Sequence, residues 1–226
     1  MSDPTLRDYY AARADEYDDW YLRRGRYTHG EAADTTWNAE LKSAGAWLES
    51  LPMRGDIVEL AAGTGWWSPL LARRGELTLY DANPGPLAIA ADRLAGAGLS
   101  ARIVVRDAWA QPDRQVDALF MGFWLSHVPR ARLADFLTLC RAWLKSGGTF
   151  AFIDSRLDPE SSATNHPTPA DDLSTRRLND GREFTITKIY WEPAELEAAL
   201  TSAGFAEAKV EKSPRFFLLG QATAAI

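Results

Sequence analysis

Three carboxylates, Glu59, Asp81 and Asp107, stand where apolar runs of this chain break. The first lies in Glu59-Leu-Ala-Ala-Gly63-Thr-Gly65, a glycine-rich turn that follows the apolar run starting after Asp56. Asp81 closes the next run, Leu77-Thr-Leu-Tyr-Asp81, 22 residues beyond Glu59. This spacing predicts a βαβ nucleoside site, in which backbone amides face the ligand and a strand-end carboxylate binds ribose hydroxyls. The two oxygens of Asp81 suit a vicinal diol, and Ala82 beside it leaves an open edge for the base. Glu59 repels a pyrophosphate and favours a nucleoside that carries positive charge.

The elements that must position these residues are legible in the same way. Residues ~4–22 read as one amphipathic helix, with Tyr9, Arg13, Tyr17 and Trp20 at helical spacing, and ~30–51 as a second, ended by Pro52. Strands are expected at 56–60, 77–81, 102–106, 116–122 and 149–154, with helices at ~66–74, ~84–97 and ~129–145 between them. That alternation predicts an α/β fold with a mostly parallel sheet and helices on both faces. Ser155 to Asp172 reads as a long loop, and Asn179-Asp-Gly181 between two β-like runs as a late hairpin. A helix at ~193–203 and an antiparallel pair at 207–212 and 215–222 close the chain. We read residues 1–226 as a single domain, with a lid over 1–52 and a cofactor-binding core over 53–155. A substrate-side insertion over 156–192 and the closing elements over 193–226 complete it.

The turn from Glu59 to Gly65 resembles the first motif of class I S-adenosylmethionine-dependent methyltransferases. The likeness covers residues 55–155 well and the flanks more loosely, and it departs at Ala61, which replaces a glycine. It implies a Rossmann-like sheet of seven strands with an antiparallel last strand. The cofactor implied is S-adenosyl-L-methionine, its methionine part against Ala61, Gly63 and Gly65 and its ammonium served by Glu59. Ala61 is expected to keep a negative φ. Asp107 is implied as acceptor of the adenine amino group, the Ala108 amide as partner of a ring nitrogen, and Trp109 as cover for the adenine face. The lid helix resembles that of small-molecule members, which places Tyr17 near the transferred methyl and makes Tyr9 and Arg13 cofactor contacts, Arg13 through the carboxylate.

Methyl transfer needs alignment, a dry pocket and, for a protonated acceptor, a base. The fourth strand runs into Phe123-Trp-Leu-Ser-His127-Val-Pro129, and His127 is the best-placed candidate base. The competing reading makes Ser126 and His127 caps of the helix that Pro129 opens. Phe123 and Trp124 are candidate pocket wall. His29 is a weaker candidate, His166 reads as solvated, Asp154 as a candidate partner for a substrate amine, and Arg176, Arg177 and Arg182 as an exposed ribbon face able to meet an acidic substrate.

The chain carries net charge −6 with no basic face, so no nucleic-acid partner is expected. Its one cysteine, Cys140, excludes a disulfide framework, and no metal-ligand set is recognisable. The polar start and the absence of a run of about 18 apolar residues predict a cytoplasmic protein with no membrane partner. The expectation is an enzyme that methylates an oxygen or nitrogen of a small molecule, as monomer or homodimer. Gly63-x-Gly65-x-x-Ser68 also loosely fits a nicotinamide dehydrogenase, but three carboxylates at the mouth oppose a pyrophosphate. A non-catalytic cofactor binder is the remaining alternative.

Overall fold

The computed structural model describes residues 2–167, 169 and 171–225. In chain order its strands are β1 Gly55–Leu60, β2 Gly75–Asp81, β3 Arg102–Val105, β4 Val116–Gly122, β5 Leu144–Ser155, β6 Leu173–Arg177, β7 Glu183–Thr187, β8 Phe205–Lys212 and β9 Phe217–Ala224. Seven of them make one sheet in the order β3-β2-β1-β4-β5-β9-β8, and β6 pairs with β7 as a separate antiparallel ribbon. The first five sheet strands are parallel, and β9 runs antiparallel to both β5 and β8. This is the expected Rossmann-like seven-stranded architecture, including the late hairpin.

The period-2 apolar pattern explains why both sheet faces are buried. On one face Val58, Leu60, Leu119, Met121, Phe150 and Phe152 pack under helices α6 Leu133–Trp143 and α7 Pro193–Ser202. The alternate residues Ile57, Leu79, Ala118, Phe120, Ala151 and Ile153 face α3 Glu31–Ser50, α4 Ser68–Ala72 and α5 Pro84–Gly96. Strand order reverses between β2-β1 and β4, so a crevice opens at the carboxyl ends of β1 and β4, where such sheets bind ligands.

The N-terminal stretch departs from the single helix expected over ~4–22. It breaks into α1 Pro4–Ala12, a 3-10 turn at Ala14–Glu16 and α2 Asp18–Tyr21. Two anchors pull the halves apart. Tyr9 and Leu6 of α1 pack with Leu178 and Ile186 of the ribbon. Asp18 at the start of α2 accepts from the Thr64 hydroxyl at 2.7 Å and pairs with Arg93, whose Nε donates to the Thr64 carbonyl. Tyr21 then stacks on Trp66, centroids 4.2 Å apart and rings 2° from parallel. Helix propensity yields here to tertiary contacts.

The turn after β1 depends on left-handed backbone. Ala61, Gly63 and Gly65 have φ of +51°, +55° and +70°. The expectation of a negative φ at Ala61 is therefore corrected: the alternating reversals that turn the amides inward extend to this residue, at a local cost for alanine. Gly63 and Gly65 are glycines for different reasons. A Cβ on Gly63 meets nothing within 4 Å, whereas one on Gly65 would sit 2.6 Å from the Ala90 Cβ. Gly63→Ala is thus expected to cost about 1–2 kcal/mol, from φ alone. Gly65→Ala should cost clearly more, because α5 must move; urea denaturation of the two variants checks the order.

Candidate active site

The crevice at the sheet's carboxyl edge is a cleft with about 670 Å³ of empty space, its open mouth included. The glycine turn supplies Ala61, Gly63 and Thr64 to its lining, the end of β2 supplies Asp81, Ala82 and Asn83, and Pro86 in the first turn of α5 adds to it. Ala108, Gly122, Phe123, Trp124 and His127 close the far side, while Ser2, Leu6, Tyr10 and Tyr17 cover it from the N-terminal stretch. Of the residues singled out in the sequence, Ala61, Gly63, Asp81, Ala82, Ala108, Phe123, Trp124, Tyr17 and His127 line this one cleft.

Asp81 is held by two backbone amides. Gly63 N–H donates to Oδ2 at 2.9 Å and Asn83 N–H to Oδ1 at 2.8 Å. Burial raises its pKa, and the two amides oppose that shift. Glu59 lies under the turn, 1% exposed, on the face of β1 opposite Val58. Its Oε2 accepts from the Ser68 hydroxyl at 2.6 Å. Burial pushes its pKa up to about 8, against the Ser68 hydrogen bond, and the nearby Asp81 adds to the rise.

Several expected cofactor contacts lie elsewhere. Tyr9 is fully buried against Phe184 of the ribbon, ring centroids 5.5 Å apart, and does not line the cleft. Its neighbour Tyr10, one residue and about 100° further round the helix, does. Arg13 turns to the opposite side of Tyr10 and Tyr17, into a second cavity. Trp109 faces away onto Phe136, 4.8 Å between centroids, with the Arg132 guanidinium 3.7 Å over its ring. Asp107 already accepts from the chain itself: Ser2 donates to it from its amide at 2.7 Å and its hydroxyl at 2.8 Å, and the Trp109 amide donates at 2.9 Å. Those three hydrogen bonds overcome burial and lower the Asp107 pKa. Ser2 itself takes that place in the cleft wall. Gly65 packs behind the turn, against Ala90.

His127 sits in a 3-10 turn, Leu125–His127, after β4. Its Nδ1 lies 2.6 Å from the Thr187 carbonyl, which can only accept, so Nδ1 carries the ring proton and Nε2 accepts from the Tyr10 hydroxyl at 2.7 Å. Burial first, then the Lys188 charge, holds its pKa well below the usual value, so the ring is neutral at neutral pH. The capping reading fails: α6 starts at Leu133 with no side-chain cap, and the Ser126 hydroxyl accepts from Lys188 Nζ at 2.7 Å instead.

The second cavity, of about 480 Å³ with its mouth, adjoins the first. Tyr10, Tyr17, Phe123 and His127 line both and form the partition between them. Arg13, Arg176 and Lys188 stand in the rest of its wall with the aromatic residues Trp20, Tyr27 and Tyr190, and three serines and His166 add polar groups. The lid and the insertion are stitched together over it: Trp20 Nε1 donates to the Ser161 carbonyl at 2.7 Å, Arg23 Nη2 to the Glu160 carbonyl at 2.6 Å, and Arg26 to the Arg177 carbonyl. His29 helps with this closure, its Nε2 2.7 Å from the Ser162 carbonyl, rather than facing either cavity. His166, expected to be solvated, is partly buried in the wall, and burial pushes its pKa down to about 3. Asp154 offers nothing to a substrate amine: it is 1% exposed, its oxygens accept from the amides of Ser126 and Ser155, and Lys188 Nζ lies 3.6 Å away. Arg177 and Arg182 pair with Glu183 and Asp180 on the exposed ribbon. Sequence reading missed Tyr10 and Lys188; a lysine inside the β-like run Ile186-Thr-Lys188-Ile-Tyr190 was the available signal.

Among the described residues no group of His, Cys, Asp and Glu can hold a metal ion, and no helix is long and apolar enough to cross a membrane. The first cleft fits S-adenosylmethionine. A carboxylate stands ready for a diol, apolar Pro86 and Ala108 flank a slot for the base, Gly63 leaves backbone room, and buried Glu59 awaits a cation. A methyltransferase-domain family profile matches residues 57–148. The DhpI–SAH complex is 30% identical over 98% of this chain and 96% of that one, with a TM-score of 0.77. The DhpI–SAM–HEP complex gives 30% over 96% and 95%, also at 0.77. The fold extends to 1,6-didemethyltoxoflavin-N1-methyltransferase of Burkholderia thailandensis, solved with 1,6-didemethyltoxoflavin and S-adenosylhomocysteine, at 16% identity over 100% and 92% and a TM-score of 0.62. No curated protein matches by sequence. The chain belongs to the class I S-adenosylmethionine-dependent methyltransferases, and S-adenosylmethionine is its cofactor.

Burial of Glu59 has a signed consequence. A carboxyl whose folded pKa lies above its unfolded value stabilises the fold below the unfolded value, near 4.5, and loses that contribution as pH rises towards about 8. Glu59→Gln is therefore expected to match the parent at pH 5 and to melt several degrees higher at pH 8.5 without ligand, while binding S-adenosylhomocysteine at least tenfold more weakly. Thermal melts at the two pH values and calorimetric titration check both halves.

Proposed function

We propose that this enzyme transfers a methyl group to an oxygen or nitrogen of a small molecule that occupies the second cavity. The observation that carries the reading is the shared partition: four side chains touch both cavities, so a donor in one and an acceptor in the other meet at Tyr10, Tyr17, Phe123 and His127. The DhpI structure containing both SAM and HEP supports a two-ligand arrangement on a similar chain. Net charge −6 and a closed, stitched lid favour a small acceptor over nucleic acid. In this reading the whole chain works as one unit, residues 1–52 and 156–192 enclosing the acceptor over the 53–155 core.

When bound, S-adenosylmethionine supplies an activated methyl group, so the protein's task is alignment and proton handling. Gly63 and Asp81 fix the nucleoside end, and Glu59 draws the ammonium towards the turn. Tyr17 and Phe123 exclude water from the partition. His127, neutral and oriented by the Thr187 carbonyl, receives the acceptor's proton at Nε2 through the Tyr10 hydroxyl, which gives its own proton to the ring as it takes the acceptor's. Tyr10 is thus a relay that holds His127 in its base form.

His127→Asn is expected to lower turnover by about 10²-fold or more with S-adenosylhomocysteine affinity unchanged, and Tyr10→Phe to lower it less. Because the imidazole pKa is depressed, turnover at saturating cofactor should stay flat from pH 7.5 to pH 6 rather than fall near 6.5. A kinetic pH profile on the parent and a single-turnover assay on both variants decide it. Full turnover in His127→Asn would remove the base from the mechanism. No binding of S-adenosylmethionine or its demethylated product by calorimetry would remove the function.

A further inference from the structure

The second cavity concentrates positive charge in a chain that is acidic as a whole. Arg13, Arg176 and Lys188 all line it, each about 7% exposed. Among the described residues, the carboxylate within 4 Å of any of them is Asp154, 3.6 Å from Lys188 Nζ, and its oxygens already serve two backbone amides. Arg13 donates through Nη2 to the Tyr27 hydroxyl at 3.1 Å and lies 4.5 Å over the Tyr17 ring, yet its Nε is buried with no partner. Arg176 meets neutral partners, the Tyr190 side chain and, at 3.4 Å, the Ser162 hydroxyl. Lys188 Nζ donates to the hydroxyls of Ser126 at 2.7 Å and Ser155 at 3.2 Å. Burying cations without counter-charge is costly, and a wall of this kind is stable when a ligand completes it. Burial together with these charges also keeps His127 and His166 neutral, so neither histidine competes for an anion or repels it.

We propose that this cavity is an oxyanion subsite: Arg13, Arg176 and Lys188 grip the phosphate-type or carboxylate group of the methyl acceptor, and the enzyme selects its acceptor by that charge. The planar guanidinium of Arg176, entering from β6, is placed to bind two oxygens at once. The free Nε of Arg13 supplies a further donor from the lid side, and Lys188 a point charge from the end of β7. The lid and the ribbon therefore meet on the same anion, which makes acceptor binding and lid closure one event. The word acceptor rests on the methyltransferase reading above; the anion site does not.

The test uses the full chain saturated with S-adenosylhomocysteine, titrated with inorganic phosphate, methylphosphonate, acetate and succinate, and with glycerol as the uncharged control. Heat and tryptophan fluorescence both report, since Trp20 lines the cavity. At least one oxyanion is expected to bind and glycerol not, and the arm that binds distinguishes a phosphorus acid from a carboxylate. Arg176→Gln should weaken that anion by about 10- to 100-fold, the range for a charged hydrogen bond, and leave S-adenosylhomocysteine affinity unchanged. Arg176→Lys should recover part of the loss. If Arg176→Gln does not fold, Lys188→Met is read in the same way. Absence of any oxyanion binding while S-adenosylhomocysteine binds overturns the proposal, as does unchanged anion affinity in the variants. An anion that binds where S-adenosylhomocysteine does not would uphold the subsite and sink the methyltransferase reading instead.

Discussion

A carboxylate buried under a glycine turn, with a serine hydroxyl as its hydrogen-bond donor, is the constraint around which this molecule is arranged. Glu59 sits near the end of β1, beside which the sheet's order reverses and a crevice must open. Withdrawn from water, it can be ionised at little cost only when a cation is brought to it. The left-handed residues of the turn keep its backbone close to the crevice, and Asp81 is held at the rim by the Gly63 amide. Charge and backbone geometry together define a nucleoside cation as the ligand.

The two cavities use electrostatics of opposite sign. The first cleft has Asp81 in its wall and Glu59 buried beneath its glycine turn, whereas the neighbouring cavity has Arg13, Arg176 and Lys188 in its wall. Between them stands an aromatic partition whose one titratable base is kept neutral. Low dielectric on both sides strengthens each field and keeps water from the junction. The N-terminal stretch belongs to both cavities: Ser2, Leu6, Tyr10 and Tyr17 face the cleft, while Arg13 faces the other side. Breaking the expected long helix into α1 and α2 is what lets one short segment serve both.

Much of the core was legible because its signals are local. Strand–helix alternation from Asp56 onward, the turn residues and the Asn179-Asp-Gly181 hairpin depend on neighbours in sequence, and each element fell within a few residues of its expected place, although β5 begins at Leu144 rather than 149. Asp81, Ala82, Gly63, Ala108, Phe123 and His127 followed, because strand ends in this topology all deliver to one edge. Side-chain partners were not legible. Nothing near Asp107 in sequence announces Ser2, which closes over it from 105 residues away. Nor does helical spacing alone show whether Tyr9 or Tyr10 meets the cleft, since that depends on which side of α1 leans on the ribbon.

The sequence by itself determined the sheet, the glycine turn, the three strand-end carboxylates and hence the kind of cofactor, since all are written in residues close along the chain. Only the tertiary structure decided that Arg13 lines the second cavity and not the first, that Arg176 turns inward while Arg177 and Arg182 stay in solvent, and that His127 is a buried neutral imidazole bonded to Tyr10 rather than a cap. Those outcomes depend on the docking of lid and ribbon, segments some 150 residues apart, and on the burial that this docking creates. Burial, more than residue type, sets what each of these side chains can do.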